Sequence, residues 1–295
     1  MRFAALLLLA LSTPAQARLD VVTTLPDLAA LAREVGGDAV QVTALVATTQ
    51  DPHYVDPRPS YVLALNQAAL VVVNGLELES AWLDPLLLQA RNPAILKGGS
   101  GYVDASTAVA RLEVPASIDR SQGDIHPGGN PHYLFDPRAG AAVAGLLAQR
   151  FAAADPAQAA GYAERGQALQ KRLLTLAATQ RARFDTLPAE RRRVVVYHQS
   201  LTYLFDWLGL QQVITVEPKP GISPDPAHTA KVLQTMKAGA IKVILQEAFY
   251  PAKISETLTK LVGGQVVRLA GGAREDETYE VRIATLAETI HAALR

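Results

Sequence analysis

From Ala157 to Phe184 the chain runs for about thirty residues without a proline and with only two glycines, Gly161 and Gly166. At 1.5 Å per residue this is roughly 45 Å of helix, longer than one small domain needs. Asp155-Pro156 precedes it and Leu187-Pro188 follows it, the first pair reading as a cap with proline at the opening helical position. The apolar positions keep no strict heptad, so a coiled coil is the weaker reading. A helix of this length in mid-chain reads as a rigid connector between two domains.

The flanking sequences repeat one pattern. Before the connector come a strand at 19–24, a helix at 27–35 and a strand at 40–46. Next are a proline-broken loop (DPHYVDPRPS), a helix at 61–68 and a continuous apolar run at 70–73 of the kind that buried parallel strands show. A helix at 78–89 containing Trp82 and a fourth strand starting at 94–96 follow. Asp136-Pro137 then opens an Ala- and Leu-rich helix over 138–153.

After the connector, strands are expected at 193–197, 212–216, 243–246 and 265–269. Helices at 201–208, 229–238, 253–262 and 279–294 alternate with them, and a second proline loop (EPKPGISPDPAH) takes the corresponding place. Such alternation implies parallel sheets with helices on both faces. The expected fold class is therefore α/β, two doubly wound (β/α)4 lobes joined by a long rigid backbone helix. The lobes are expected at 18–137 and 188–295, with the helical connector at 138–187.

The first residues, MRFAALLLLALSTPAQA, have one basic residue, a short apolar run and an A-x-A end. That is the pattern of a cleaved signal peptide over 1–17, too short to span a bilayer. The mature chain would begin near Arg18 and lose Arg2, moving the net charge from 0 to −1. Neutrality gives no reason to expect nucleic acid or an anionic membrane as partner. The sequence has no cysteine, which excludes thiolate metal ligands and a lipid-modified cysteine at the processing site. A periplasmic protein, acting as a monomer, is expected.

The stretch Gly123–Pro137 (GDIHPGGNPHYLFDP) sets His126 and His132 among glycines and prolines, with little to bury. In open parallel sheets, ligands sit beyond the carboxyl ends of the strands. His53 and His132 fall in such loops of the first half, while His198 and Glu247 end strands of the second. All four should open onto one cleft. Three neutral imidazoles and a carboxylate suit Zn²⁺ in near-tetrahedral geometry.

Taken with NGLELESAWLDPL (74–86), YHQSLTYLFDWLGL (197–210) and GISPDPAHTAKVLQTMKAGAIKVILQEAFYP (221–251), these loops resemble a known family. The chain resembles the zinc- and manganese-binding solute-binding proteins of ABC importers, over its whole mature length. The resemblance implies two lobes, a backbone helix, a metal site at their interface, and delivery to a membrane permease with its cytoplasmic ATPase. It implies ligand positions at His53, His132 and His198, and histidine at the third favours zinc over manganese. Many members carry an aspartate after the last strand, but this chain has VVRLAGG there. Glu247 is the expected replacement, with Asp276, Glu275 or a water as alternatives.

His126 reads as a solvent-facing loop residue or a transient ligand. His228 reads as a hydrogen-bonding neighbour of the site or a surface residue, His291 as surface, and Trp82 and Trp207 as core. A manganese or iron(II) binder of the same family and a zinc hydrolase are the alternatives. The latter has no HExxH or G-x-S-x-G to support it, and an adhesin role has no large apolar or repeat surface.

Overall fold

The computed structural model describes residues 18–117, 123 and 125–295, so the expected signal segment lies outside the described residues. Two four-stranded parallel sheets form. The first contains β1 (Leu19–Thr23), β2 (Val40–Ala44), β3 (Leu70–Val73) and β4 (Tyr102–Asp104) in the order β2-β1-β3-β4. The second contains β5 (Arg193–Val196), β6 (Gln211–Thr215), β7 (Val243–Glu247) and β8 (Gln265–Leu269) in the order β6-β5-β7-β8. The two orders are the same, so each lobe has its topological switch between its first and third strands. This is the expected pair of α/β lobes.

Helices α1 (Pro26–Gly36), α2 (Pro59–Gln67) and α3 (Leu83–Gln89) belong to the first sheet. Around the second sheet lie α6 (Thr202–Leu208), α7 (Pro226–Ala238), α8 (Lys253–Val262) and α9 (Tyr279–Leu294). Between the lobes run α4 (Pro137–Ala154) and α5 (Ala159–Asp185). The 27 residues of α5 span roughly 40 Å. Its buried residues (Tyr162, Gly166, Leu169, Leu173, Ala177, Gln180 and Phe184) recur every three or four positions, which draws one stripe along the helix. That stripe packs into the protein's own core, so no second coil is needed to cover it.

Strand periodicity decides which core each residue enters. Val72, Val194 and Val196 face the middle of the molecule, where they join Leu28, Phe151, Tyr162, Leu173, Phe184 and Ile290 in one cluster that spans both lobes. Their neighbours Val71 and Val73 face a separate cluster with Trp82 and Leu86 on the outer side of the first sheet. Val195 and Ile244 face another with Met236 and Leu258 on the outer side of the second. The lobes therefore share their largest core.

Four local expectations change. The fourth strand is at Tyr102–Asp104, not 94–96, because Pro93–Ile95 winds into a 3-10 turn capped by the Asn92 side chain. Helix α3 starts at Leu83 and not at Leu78: Leu76 and Glu77 turn through positive φ of 52° and 60°, which breaks helical winding before Trp82. The connector begins at Ala159 after a 3-10 turn at Pro156–Gln158, and Asp155 accepts a hydrogen bond from the Tyr162 hydroxyl (3.0 Å) with no side-chain cap bond. His291 is buried, its ring edge-on to Phe184 at 5.3 Å, where α9 docks on α5.

The lobes are also tied by polar contacts. Buried Asp27, at the start of α1, pairs with buried Arg282 of α9 at 3.2 Å and accepts the Ala273 N–H at 2.7 Å. Burial raises the Asp27 pKa despite the Arg282 charge beside it. At the surface, Arg172 of α5 bridges Glu34 and Glu280, both at 2.7 Å. Removing one partner of a buried pair costs about 3–5 kcal/mol, whereas an exposed pair contributes about 1 kcal/mol or less. Denaturant unfolding of Asp27→Asn should show the first loss and that of Arg172→Ala only the second; equal losses would contradict this assignment.

Candidate metal centre

His53 lies in the loop between β2 and α2. Asp51 shapes it by accepting both the His53 backbone N–H (3.0 Å) and the ring Nδ1–H (2.7 Å). The Pro52 carbonyl between them accepts the Trp82 indole N–H at 2.9 Å. The same construction recurs at His132. Asn130 Oδ1 accepts the His132 backbone N–H (3.0 Å) and ring Nδ1–H (2.9 Å), and the Pro131 carbonyl accepts Asn74 Nδ2 at 2.9 Å. The Asn130 amide donates to Glu113 Oε2 and to the Gln199 carbonyl, both at 2.9 Å, which leaves its oxygen as the acceptor for the ring. His198 follows β5, and its Nδ1–H donates to buried Glu217 at 2.7 Å.

With every Nδ1 engaged, the Nε2 lone pair is what each ring offers. One ring nitrogen from each of His53, His132 and His198 lies within 4.8 Å of the other two. His53 Nε2 is buried and has no hydrogen-bond partner. Burial, reinforced by the neighbouring histidines, holds the His132 pKa well below 6.5, so that ring is neutral. At His198 burial also disfavours the charged ring, but the Glu217 hydrogen bond and charge outweigh it and raise the pKa. For Asp51, burial is outweighed by the hydrogen bonds from His53, and the pKa falls.

The structure thus brings three of the four expected residues together, and Glu247 is not in that group. It is buried at the end of β7, where Oε1 accepts the Ser200 hydroxyl and Oε2 has no hydrogen-bond partner. Burial raises its pKa. Glu275 and Asp276 are exposed, the latter beside Arg274 at 3.6 Å. The Gly271 backbone runs so close to the first lobe that an added Cβ would sit 2.6 Å from the Thr48 carbonyl oxygen. His126 lies at the margin, its ring 5.4 Å from His53 and 6.3 Å from His132. The His228 ring instead hydrogen-bonds the Thr215 carbonyl at 3.0 Å. Trp82 and Trp207 are both core residues.

The residues that sequence reasoning missed are the acceptors Asp51, Asn130 and Glu217. Two of them carried a visible signal: Asp51-Pro52-His53 and Asn130-Pro131-His132 are the same [DN]-P-H tripeptide. Glu79 is a further one. Buried behind the His132 loop, its carboxylate accepts Thr24 Oγ1 (2.6 Å) and the backbone N–H groups of Asn74 (2.6 Å) and Gly75 (3.2 Å). It thereby fixes the Asn74 side chain that grips Pro131. A mouth of about 330 Å³, lined by Glu113, His126, His132, His198, Pro218 and Pro220, leads from solvent to the cluster.

Two lobes on one connector, with a nitrogen-rich cluster between strand ends of both, define a solute-binding protein that holds its cargo in the seam. The chain belongs to the ZnuA family, described as zinc-uptake complex component A, periplasmic, whose family model matches residues 21–293. This is a family of substrate-binding proteins of metal ABC transporters, not of enzymes. The manganese ABC transporter substrate-binding lipoprotein PsaA of Streptococcus pneumoniae is 25% identical over 246 residues, covering 82% of this chain and 76% of PsaA. Among solved structures, a crystal structure of ZnuA superposes with a TM-score of 0.79 at 23% identity, over 94% of this chain and 100% of that one. The FpvC binding protein of Pseudomonas aeruginosa, in complex with Mn²⁺, superposes with a TM-score of 0.76 at 25% identity, over 94% and 98% of the two chains.

Burial raises the Glu79 pKa from 4.5 to about 7. Between those values the folded state holds a proton that the unfolded state releases, so this group makes stability fall as pH rises from about 4.5 to about 7. Glu79→Gln should flatten that slope relative to the parent, by on the order of 3 kcal/mol across the window. Melting temperatures of the two proteins at pH 5 and pH 7.5 measure it. Parallel pH profiles would refute the assignment.

Proposed function

We propose that this chain is a periplasmic zinc-binding protein. It captures Zn²⁺ between its lobes on His53, His132 and His198 and hands it to the permease of an ABC importer driven by a cytoplasmic ATPase. In this reading the mature chain starts near Arg18, and lobes at 18–137 and 188–295 flank the connector at 138–187. The observation that carries the reading is the donor set, three imidazoles whose Nδ1 hydrogen bonds leave Nε2 as the nitrogen each has to offer. Borderline-soft Zn²⁺ favours such nitrogen ligands, whereas Mn²⁺ and Mg²⁺ favour carboxylate, carbonyl and water oxygen. Buried neighbours that orient imidazole ligands raise their basicity and fix the ring tautomer; Asp51, Asn130 and Glu217 are suited to this.

The capture step is a ligand exchange. The hydrated ion enters by the mouth, sheds water onto solvent, and takes up the Nε2 lone pairs in its place. The only bond of the protein that changes is the Nε2–H of any ring that enters protonated, whose proton goes to solvent. Manganese is the second reading, supported by the names of PsaA and of the FpvC complex.

Competitive titration of the purified protein with zinc and manganese should give one zinc per chain and much weaker manganese binding; tighter manganese binding overturns the assignment. His198→Ala should abolish tight zinc binding. Asn130→Ala keeps all three ligands but frees the His132 ring, and should weaken zinc by about 10–100-fold. Acidification should also weaken binding. His198, with its raised pKa, is the ring whose proton the metal must first displace, so affinity should fall by about tenfold per pH unit once that ring is protonated.

A further inference from the structure

Beside His132 lies a second, smaller cavity of about 50 Å³, lined by residues of both lobes. His132 forms part of its wall, and Glu247, Asn74, Asp27, Tyr250 and Arg282 add further polar side chains to it. Three of these are buried and carry an atom without a hydrogen-bond partner: Glu247 Oε2, Asn74 Oδ1 and Arg282 Nε. Buried polar atoms of this kind are costly unless something meets them. Two are acceptors and one is a donor, and their residues line one small space.

Water is the molecule that serves both kinds at once. A site that holds one water needs about 10–15 Å³ and two to four polar partners, so this cavity has room for roughly three to five. An anion is disfavoured by the Glu247 and Asp27 carboxylates, and an organic ligand by the volume. His132 borders the mouth as well as the cavity, so the two spaces meet at one of the three rings.

We propose that Glu247 acts on the captured ion through a cavity water: its Oε2 accepts a hydrogen bond from the water that fills the fourth coordination position. This rests on the three-histidine reading above and deepens it. The ion is held by three nitrogens and one water, and the carboxylate stands one hydrogen bond behind. Ser200 makes the arrangement directional. Its hydroxyl occupies Oε1, and it leaves Oε2 as the oxygen available to the water.

Glu247→Gln tests this with little change of shape. With the Ser200 hydroxyl retained by the amide oxygen, the amide nitrogen replaces Oε2, and an acceptor becomes a donor where the water is held. Two probes are read on the full chain, zinc affinity by chelator competition and the visible spectrum of the cobalt(II)-loaded protein. Affinity should fall by about 10–100-fold, as for other residues that orient metal ligands, while the cobalt bands stay those of a four-coordinate ion. Unchanged affinity, or a variant that loses the four-coordinate spectrum, overturns the proposal.

A crystal structure of the zinc-loaded parent protein tests it without any variant. It should show a water bound to zinc and within hydrogen-bond distance of Glu247 Oε2. A Glu247 oxygen bonded to the ion at about 2.0–2.2 Å overturns this proposal and leaves the three-histidine reading standing. Zinc lying away from the three histidines overturns both.

Discussion

Each clustered histidine gives the hydrogen on Nδ1 to a fixed acceptor, and the chemistry of the seam follows from that. A free imidazole exchanges tautomers and turns about two bonds; these rings do neither. Asp51, Asn130 and Glu217 select the tautomer with the lone pair on Nε2. The acceptors are themselves held. Asn130 is gripped by Glu113 and by the Gln199 carbonyl, Glu217 also accepts the Gly221 N–H, and the prolines beside the first two histidines are tied by Trp82 and Asn74. Preorganisation of this kind places the cost of ordering the rings in folding, ahead of any binding event.

That order can be sustained because the lobes do not fold around separate centres. The middle cluster takes side chains from α1, α4, α5, α9 and the inward faces of both sheets. Separating the lobes as rigid bodies would expose that cluster and break the Asp27–Arg282 pair within it. Large hinge rotation, as in binding proteins whose lobes meet only across a strand linker, is therefore disfavoured.

Much of this was legible in the sequence because hydrophobic periodicity carries it. The four-residue apolar runs at β3 and β5 and the uninterrupted stretch of α5 give the strands, the connector and the duplicated lobes. Three of the four strand-end residues expected to meet do meet. What misled was where short-range signals compete. Ala94–Leu96 looks extended by composition, yet Pro93 and Asn92 wind it into a turn. His291 looks like a surface residue by polarity, but the packing of α9 on Phe184 decides its burial. Glu247 looks like a fourth member by its strand end, yet Ser200 takes one of its oxygens and the carboxylate does not join the three ring nitrogens. The acceptors at Asp51 and Asn130 were written plainly as a repeated tripeptide; Glu217, nineteen residues from its histidine, had no local signature.

The Glu113 carboxylate has a wider reach than its surface position suggests. One oxygen takes Asn130 on the side of the His132 loop, and the other takes Gln199 and Thr202 beyond β5. One carboxylate of the rim therefore joins the loop that carries His132 to the residues that follow His198, and through Asn130 it also fixes the acceptor of a ring inside the seam.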